Sequence, residues 1–176
     1  KFLHDRVQQA AYSLISEADK QPIHLQIGQL LLKATPAELV EDKLFDIVNQ
    51  LNMGAELIRE QVQKDELAQL NLVAGKKAIA SVAYEAALKY LNVGKRLLGK
   101  DRWLHSYELT LALYGLAAEA AYLNGDFEQM EKLAEVLLQQ AKTPLDKVKG
   151  YEAKIQACTV QHQLLDAIKI TLEALK

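Results

Sequence analysis

The sequence predicts an all-α fold, a right-handed superhelix of antiparallel helical hairpins. Three observations point there. Small and large apolar residues recur at three- and four-residue steps in paired segments, which is helical spacing. The pattern comes in three copies: with Ala87, Met130 and Ala167 as equivalent positions, the copies lie 43 and 37 residues apart, near the period of helical repeats but not constant. Finally, there are three prolines and few β-branched runs, and every connection between periodic segments is short, so sequential helices should pack antiparallel.

Taken in order, Phe2 to Ile15 reads as an amphipathic helix with Val7, Ala10, Ala11, Leu14 and Ile15 on one side. Pro22 is expected to restart the chain, and Ile23 to Lys33 follows as a second helix burying Ile27, Leu30 and Leu31. Thr35-Pro36-Ala37-Glu38 has the form of a helix start, with Thr35 as N-cap, Pro36 at the first position and Glu38 closing a capping box. That helix should run to about Asn52 and stop at Gly54. Ala55 to Val62 reads as a short helical link, broken around Gln63 to Asp65.

The first hairpin occupies the stretch from Asp65 to Leu98. Leu67, Leu70, Ala74 and Ala78 form one face, and Ala74, Gly75 and Ala78 leave room for a second backbone. A glycine in mid-helix costs about 1 kcal/mol against alanine, so Gly75 needs a packing reason. Tyr84, Ala87, Leu88, Leu91 and Leu98 form the facing row, with Gly94 as another small contact and Ser81 as the expected cap. Gly99 ends this unit, and Asp101 is placed to cap a helix from Arg102 to Leu123, with Tyr114, Ala117, Ala118 and Ala121 on its face. Asn124-Gly125-Asp126-Phe127 is a turn, with Asp126 capping the helix of Met130, Ala134 and Leu137. Thr143-Pro144 starts another helix, to about Gln161, carrying Tyr151, Ile155 and Cys158. The last helix runs from Leu164 to the end, with Ala167, Thr171 and Ala174.

These hairpins resemble degenerate tetratricopeptide repeats. Ala74-Gly75 falls at that motif's Leu-Gly position, and Ala87, Leu91 and Gly94 fall at the small, large and small positions of its second helix. The usual Gly-Asp turn and the helix-ending Pro are missing from the first copy. In a stack of such units the first helices line a concave groove in which a peptide or a neighbouring domain can lie. The repeat register puts Lys76, Glu119, Tyr122 and Gln156 on that groove.

Composition narrows the partners. Charge is near balance at −2, and the basic residues are scattered, so nucleic acid is not the expected partner. The single Cys158 excludes an internal disulfide and fits a reducing cytoplasm, the expected location. No apolar run approaches the roughly 18 residues of a membrane span. No secretory leader is visible, and the chain starts at Lys1 already in helical sequence, which reads as a fragment cut from a longer protein.

The opening FLHDRVQQAAYSLI and the following IHLQIGQLLL resemble a recurring segment of large bacterial, cyanobacterial-type signalling ATPases. Phe2, His4, Ala11, Tyr12 and Leu14, then His24, Leu25, Ile27 and Gly28, carry the likeness. LFDIVNQLNMGAELI (Leu44 to Ile58) and the stretch Leu67 to Leu98 match the same family's helical region. The resemblance covers Phe2 to about Lys154. It places the chain between an AAA-type, STAND-like ATPase and a GAF domain, in multidomain sensors that often carry a Ser/Thr kinase-like domain in front and a histidine kinase behind. It implies residues 1–62 as a helical piece continuing from the upstream ATPase and winged-helix region. Residues 63–176 are then about three repeat hairpins of one continuous solenoid. The implied role is a non-catalytic regulatory or protein-interaction scaffold.

Candidate chemistry is thin. LHDRVQQ resembles the phosphoacceptor box of one histidine kinase class, in which His4 would accept phosphate and Asp5 would act as base. A helix start with Asp5 favourable to the dipole is the plainer reading. A ligand-sensing arm of a MalT-like transcription regulator is a third alternative. His24, His105 and His162 stand far apart, with no metal spacing, and read as solvated or core-edge residues. Cys158 reads as a small buried hydrophobe. Gly75-Lys76-Lys77 lacks the first Gly and the Ser/Thr of a phosphate loop and lies inside a helical pattern. No catalytic residue, cofactor or metal is expected.

Overall fold

A computed structural model describes residues 7, 10, 12, 13 and 15–175. The helix expected over Phe2–Ile15 lies largely outside the described residues. Among the described residues all regular structure is helical, with no strand, so the chain is all-α. It forms two compact units, residues 1–64 and 65–176.

In the first unit α1 (Glu17–Ala34) starts at Ser16, whose hydroxyl accepts from the Asp19 N–H at 3.2 Å. It runs straight through Pro22, which does not restart the chain as expected. The proline sits in the second turn, where its missing N–H removes one early hydrogen bond. Thr35 closes this helix instead of opening the next: its N–H and its hydroxyl both donate to the Leu31 carbonyl, at 3.0 and 2.7 Å. The expected capping box is therefore absent, and Pro36 leads only a 3-10 turn (Ala37–Leu39). The following helix, α2 (Leu44–Met53), begins well after Thr35 and buries Leu44, Ile47, Val48 and Leu51.

Two glycines set the approach of α1 and α2. A Cβ on Gly28 would meet the Leu51 side chain at 2.7 Å and its backbone N at 2.9 Å. Gly54 ends α2 as expected, but with φ −105, a conformation open to any residue. It is needed there because a Cβ would meet Leu25 Cβ at 2.6 Å and the Gln21 carbonyl at 2.7 Å. The buried row of α1 also differs from the expected one. Ile27 and Leu30 are 39% and 59% exposed and Leu31 is half-buried, while His24 and Gly28 are buried. Three consecutive leucines at 30–32 leave the rotation of this helix undetermined by periodicity. A second 3-10 turn (Ala55–Leu57) follows, and α3 (Gln61–Ala80) runs unbroken through the expected break at Gln63–Asp65.

The second unit holds most of α3, then α4 (Tyr84–Leu97), α5 (Arg102–His105), α6 (Tyr107–Leu123), α7 (Phe127–Gln140), α8 (Pro144–Val160) and α9 (Leu164–Ala174). Three connections share one turn. Val82, Gly125 and His162 take φ of 60, 76 and 60. The next N–H closes the same bond back in each case: Ala83 to Ala78, Asp126 to Ala121 and Gln163 to Cys158, at 2.9, 2.9 and 2.8 Å. These turns stand 43 and 37 residues apart, the spacing of the apolar pattern. Ser81 does not cap α4; its N–H closes the preceding helix, and Ala83 takes the N-cap position with no side-chain bond.

The helix expected over Arg102–Leu123 is split at Ser106. The fully buried Thr110 offers the reason, since its hydroxyl reaches the carbonyls of Arg102 and Ser106, at 3.2 and 2.8 Å. Asp126 and Thr143 cap as expected, with Asp146 completing a capping box at Thr143.

Around these turns α6 packs on α4, α7 and α8, and α8 packs on α7 and α9. The core between them is made of Leu67, Ala74, Leu91, Leu113, Ala118, Ala134 and Leu137, all 2% exposed or less. A Cβ on Gly75 would meet Leu91 at 2.7 Å, and one on Gly94 would meet Leu113 at 2.8 Å. These contacts are the packing reason for both glycines.

Candidate interaction surface

The first helices of the three hairpins, α3, α6 and α8, are tied start to start. The Ser106 hydroxyl donates to Asp65 at 3.5 Å, and the Tyr107 hydroxyl donates to Asp146 Oδ2 at 2.6 Å. Tyr107 Oη in turn accepts the Lys142 N–H at 2.8 Å, and Asp146 accepts the Thr143 N–H at 2.9 Å. The Tyr107 hydroxyl, more than any other neighbour, holds the Asp146 carboxyl below its ordinary value. Burial first, and then Asp146, push the Tyr107 phenol up.

The four groove residues are all on first helices, and the contacts that Glu119 and Tyr122 make run to other residues. Glu119, half-buried on α6, lies 3.8 Å from Lys149 of α8, which also lies 3.2 Å from Glu152. Helical spacing puts Lys149, Glu152 and Gln156 on one face of α8, and Gln156 is exposed. Tyr122 is half-buried, with its ring 6.5 Å from Phe127. Lys76 is exposed on α3, and among the described residues no interaction joins it to the other three. Sequence reading passed over Lys149 and Glu152, although their i, i+3 opposite charges were a legible signal. Exposed ion pairs of this kind contribute little stability, about 0.2–1 kcal/mol, so their value lies in the charge pattern they offer a partner.

The remaining candidates settle as follows. His4 and Asp5 lie outside the described residues. His24 is not solvated: it is buried at 9% exposure between the Tyr12 hydroxyl, 2.8 Å from Nε2, and Gln50 Oε1, 2.5 Å from Nδ1. An amide oxygen only accepts, so Nδ1 is the donor to Gln50, and the Tyr12 hydroxyl lies within hydrogen-bond distance of Nε2. The knot satisfies a buried polar group and ties α2 to α1. His105 and His162 are exposed, and His162 serves as a turn residue. Cys158 is half-buried, not buried, because it lies at the rim beside Met130, Lys154 and Gln161. Gly75, Lys76 and Lys77 lie inside α3. Among the described residues no group of three His, Cys, Asp or Glu is placed to hold a metal ion. No helix among them is long and apolar enough to cross a membrane.

The chain is similar to a segment of Hybrid signal transduction histidine kinase G of Dictyostelium discoideum. The two are 30% identical over 199 aligned positions, covering 99% of this chain. The chain spans only 6% of that relative's length. No family model and no solved structure matches it. The similarity supports a signal-transduction kinase context for this segment. The relative is a Dictyostelium protein, so it gives no support to the bacterial origin the sequence led us to expect.

Proposed function

We propose that the chain is a non-catalytic regulatory scaffold within a multidomain signal-transduction kinase, coupling an ATPase module to sensor and kinase domains. In this reading residues 63–176 form TPR-like hairpins stacked as a right-handed superhelix. Residues 1–62 lead into them from an upstream ATPase and winged-helix region. The one observation that carries the reading is the shared turn at Val82, Gly125 and His162. Identical turns fold each second helix back from its first in the same way, and the Asp65–Ser106 and Tyr107–Asp146 ties hold the starts of successive first helices together. A stack in which each unit touches mainly its neighbours transmits displacement along its length. The similarity over 99% of the chain to a hybrid histidine kinase supplies the signalling context.

The surface of α3, α6 and α8 around Lys76, Glu119, Tyr122 and Gln156 is the docking face for protein: a neighbouring domain of the same chain, or a peptide. The location is cytoplasmic, and the near-balanced charge favours protein over nucleic acid. The test is calorimetric titration of this chain with the separately produced segments that flank it in its parent protein. Binding to one of them should weaken about tenfold on Glu119→Lys, a change of about 1.4 kcal/mol. Binding unmoved by both Glu119→Lys and Lys76→Glu would remove the docking face, and no binding to any segment would remove the scaffold.

A further inference from the structure

A second feature of the second unit is independent of that groove. A concavity of about 530 Å³ opens between α4, α5 and α6. Lys89, Asn92, Lys95 and Arg96 reach it from α4, Arg102 from α5 and Tyr114 from α6. Among the described residues its lining carries four cationic side chains and no carboxylate. Lys89 has a partner outside the lining, Glu85, at 2.7 Å. Among the described residues Lys95, Arg96 and Arg102 have no acidic partner.

The arrangement is built rather than incidental. Arg102 Nη1 donates to the Lys95 carbonyl at 2.7 Å, which fixes the guanidinium beside the root of the lysine. The Lys95 ammonium stands 5.0 Å from the Tyr114 ring centroid, which lines the wall behind it. Burial first, and then the Arg102 charge, lower the Lys95 pKa to about 8. Two like charges held together, one of them partly desolvated, are unfavourable until a counter-charge arrives.

We propose that this concavity binds a phosphate-bearing small molecule of at least two negative charges. Arg96 and Arg102 present planar forks that match phosphate oxygens, and Lys95 adds a point charge to the same lining. Asn92 adds an amide donor. The volume lies within the range of small-molecule sites, roughly 300–1,000 Å³, and exceeds what a lone phosphate fills.

The experiment is calorimetric titration of the whole chain with inorganic pyrophosphate and with ATP, beside thermal melts in each. Both probes should bind and raise the melting temperature. Arg96→Gln, at an exposed position, should weaken binding about tenfold, and Lys95→Met should do the same while the helical circular dichroism is kept. Lys132→Gln, at a remote exposed pair with Glu128, should change nothing. ATP binding more tightly than pyrophosphate assigns a nucleotide; equal binding assigns the phosphate groups alone. Absence of binding by both probes overturns the proposal, as does affinity that survives the Lys95→Met, Arg96→Gln pair or an acidic peptide that displaces both. Loss of the docking face would leave this result untouched, since the two surfaces share no residue.

Discussion

The first and second hairpins use the same backbone turn but fill it differently. At the second turn Gly125 occupies the left-handed position, where no side chain is strained. At the first, the β-branched Val82 holds φ 60, a conformation that costs an L-residue about 1–2 kcal/mol. The interiors differ as well. Equivalent positions pair Gly75 with Leu91 in the first hairpin and Ala118 with Ala134 in the second. Leu91 fills the space over Gly75, whereas the second hairpin meets the same requirement with two alanines, each 0% exposed. What repeats is the summed volume and the turn geometry, so residue identity drifts while the fold persists.

The pairs can be broken and exchanged. Leu91→Ala should have the largest effect, about 3 kcal/mol of destabilisation, because it empties a fully buried site. Gly75→Ala should cost about 2 kcal/mol, since its Cβ would stand 2.7 Å from Leu91. The double variant recreates the alanine pair of the second hairpin, and its cost should fall clearly below the sum of the two singles. Urea denaturation of the four proteins measures this cycle, and strict additivity would mean the two residues do not share one space.

The turns come next in size. Gly125→Val should lose about 1–2 kcal/mol by importing the strain of the first turn. Val82→Gly should gain about 1 kcal/mol by relieving it, less the entropy that glycine adds to the unfolded chain. His162→Gly should gain less, because histidine enters the left-handed region more readily than valine. Thermal melts should rank the three in that order of magnitude.

The smallest effect distinguishes the two start-to-start ties. At 2.6 Å the Tyr107–Asp146 bond is short, while Ser106–Asp65 is long at 3.5 Å. The Asp146 carboxyl is lowered, first by Tyr107, so its contribution is full above the ordinary carboxylate range and is lost as pH falls through its folded value. Tyr107→Phe should flatten the loss of stability measured by melts between about pH 5 and pH 2. Ser106→Ala should leave that profile unchanged.

Much of this architecture was readable in the sequence, and the misses share a cause. The helical class, the caps at Asp126 and Thr143, and the small-residue rows of the second unit follow from local chemistry and periodicity. In the first unit the misreadings arise because Thr35 is a legitimate cap for either neighbour and Leu30–Leu32 present an apolar face in any rotation, and in the second the split at Ser106 is set by the buried Thr110 hydroxyl. The surface was legible only in part. The repeat register supplies Lys76, Glu119, Tyr122 and Gln156 as groove residues, and their use as a docking face is the proposal to be tested. The buried His24 knot and the cationic concavity join residues too far apart in sequence, or on too many helices, for spacing to reveal them.

By itself the sequence determined that the chain is helical, where the last three helices begin, and that the second unit repeats at 43 and 37 residues, because capping and apolar periodicity act within a few turns. Tertiary structure alone decided that Thr35 closes a helix and that Val82 accepts a left-handed turn. It also decided that three cations gather without a counter-charge. The cations come from two helices, α4 and α5, which no spacing within one helix encodes, and at Thr35 and Val82 the local sequence permits more than one outcome.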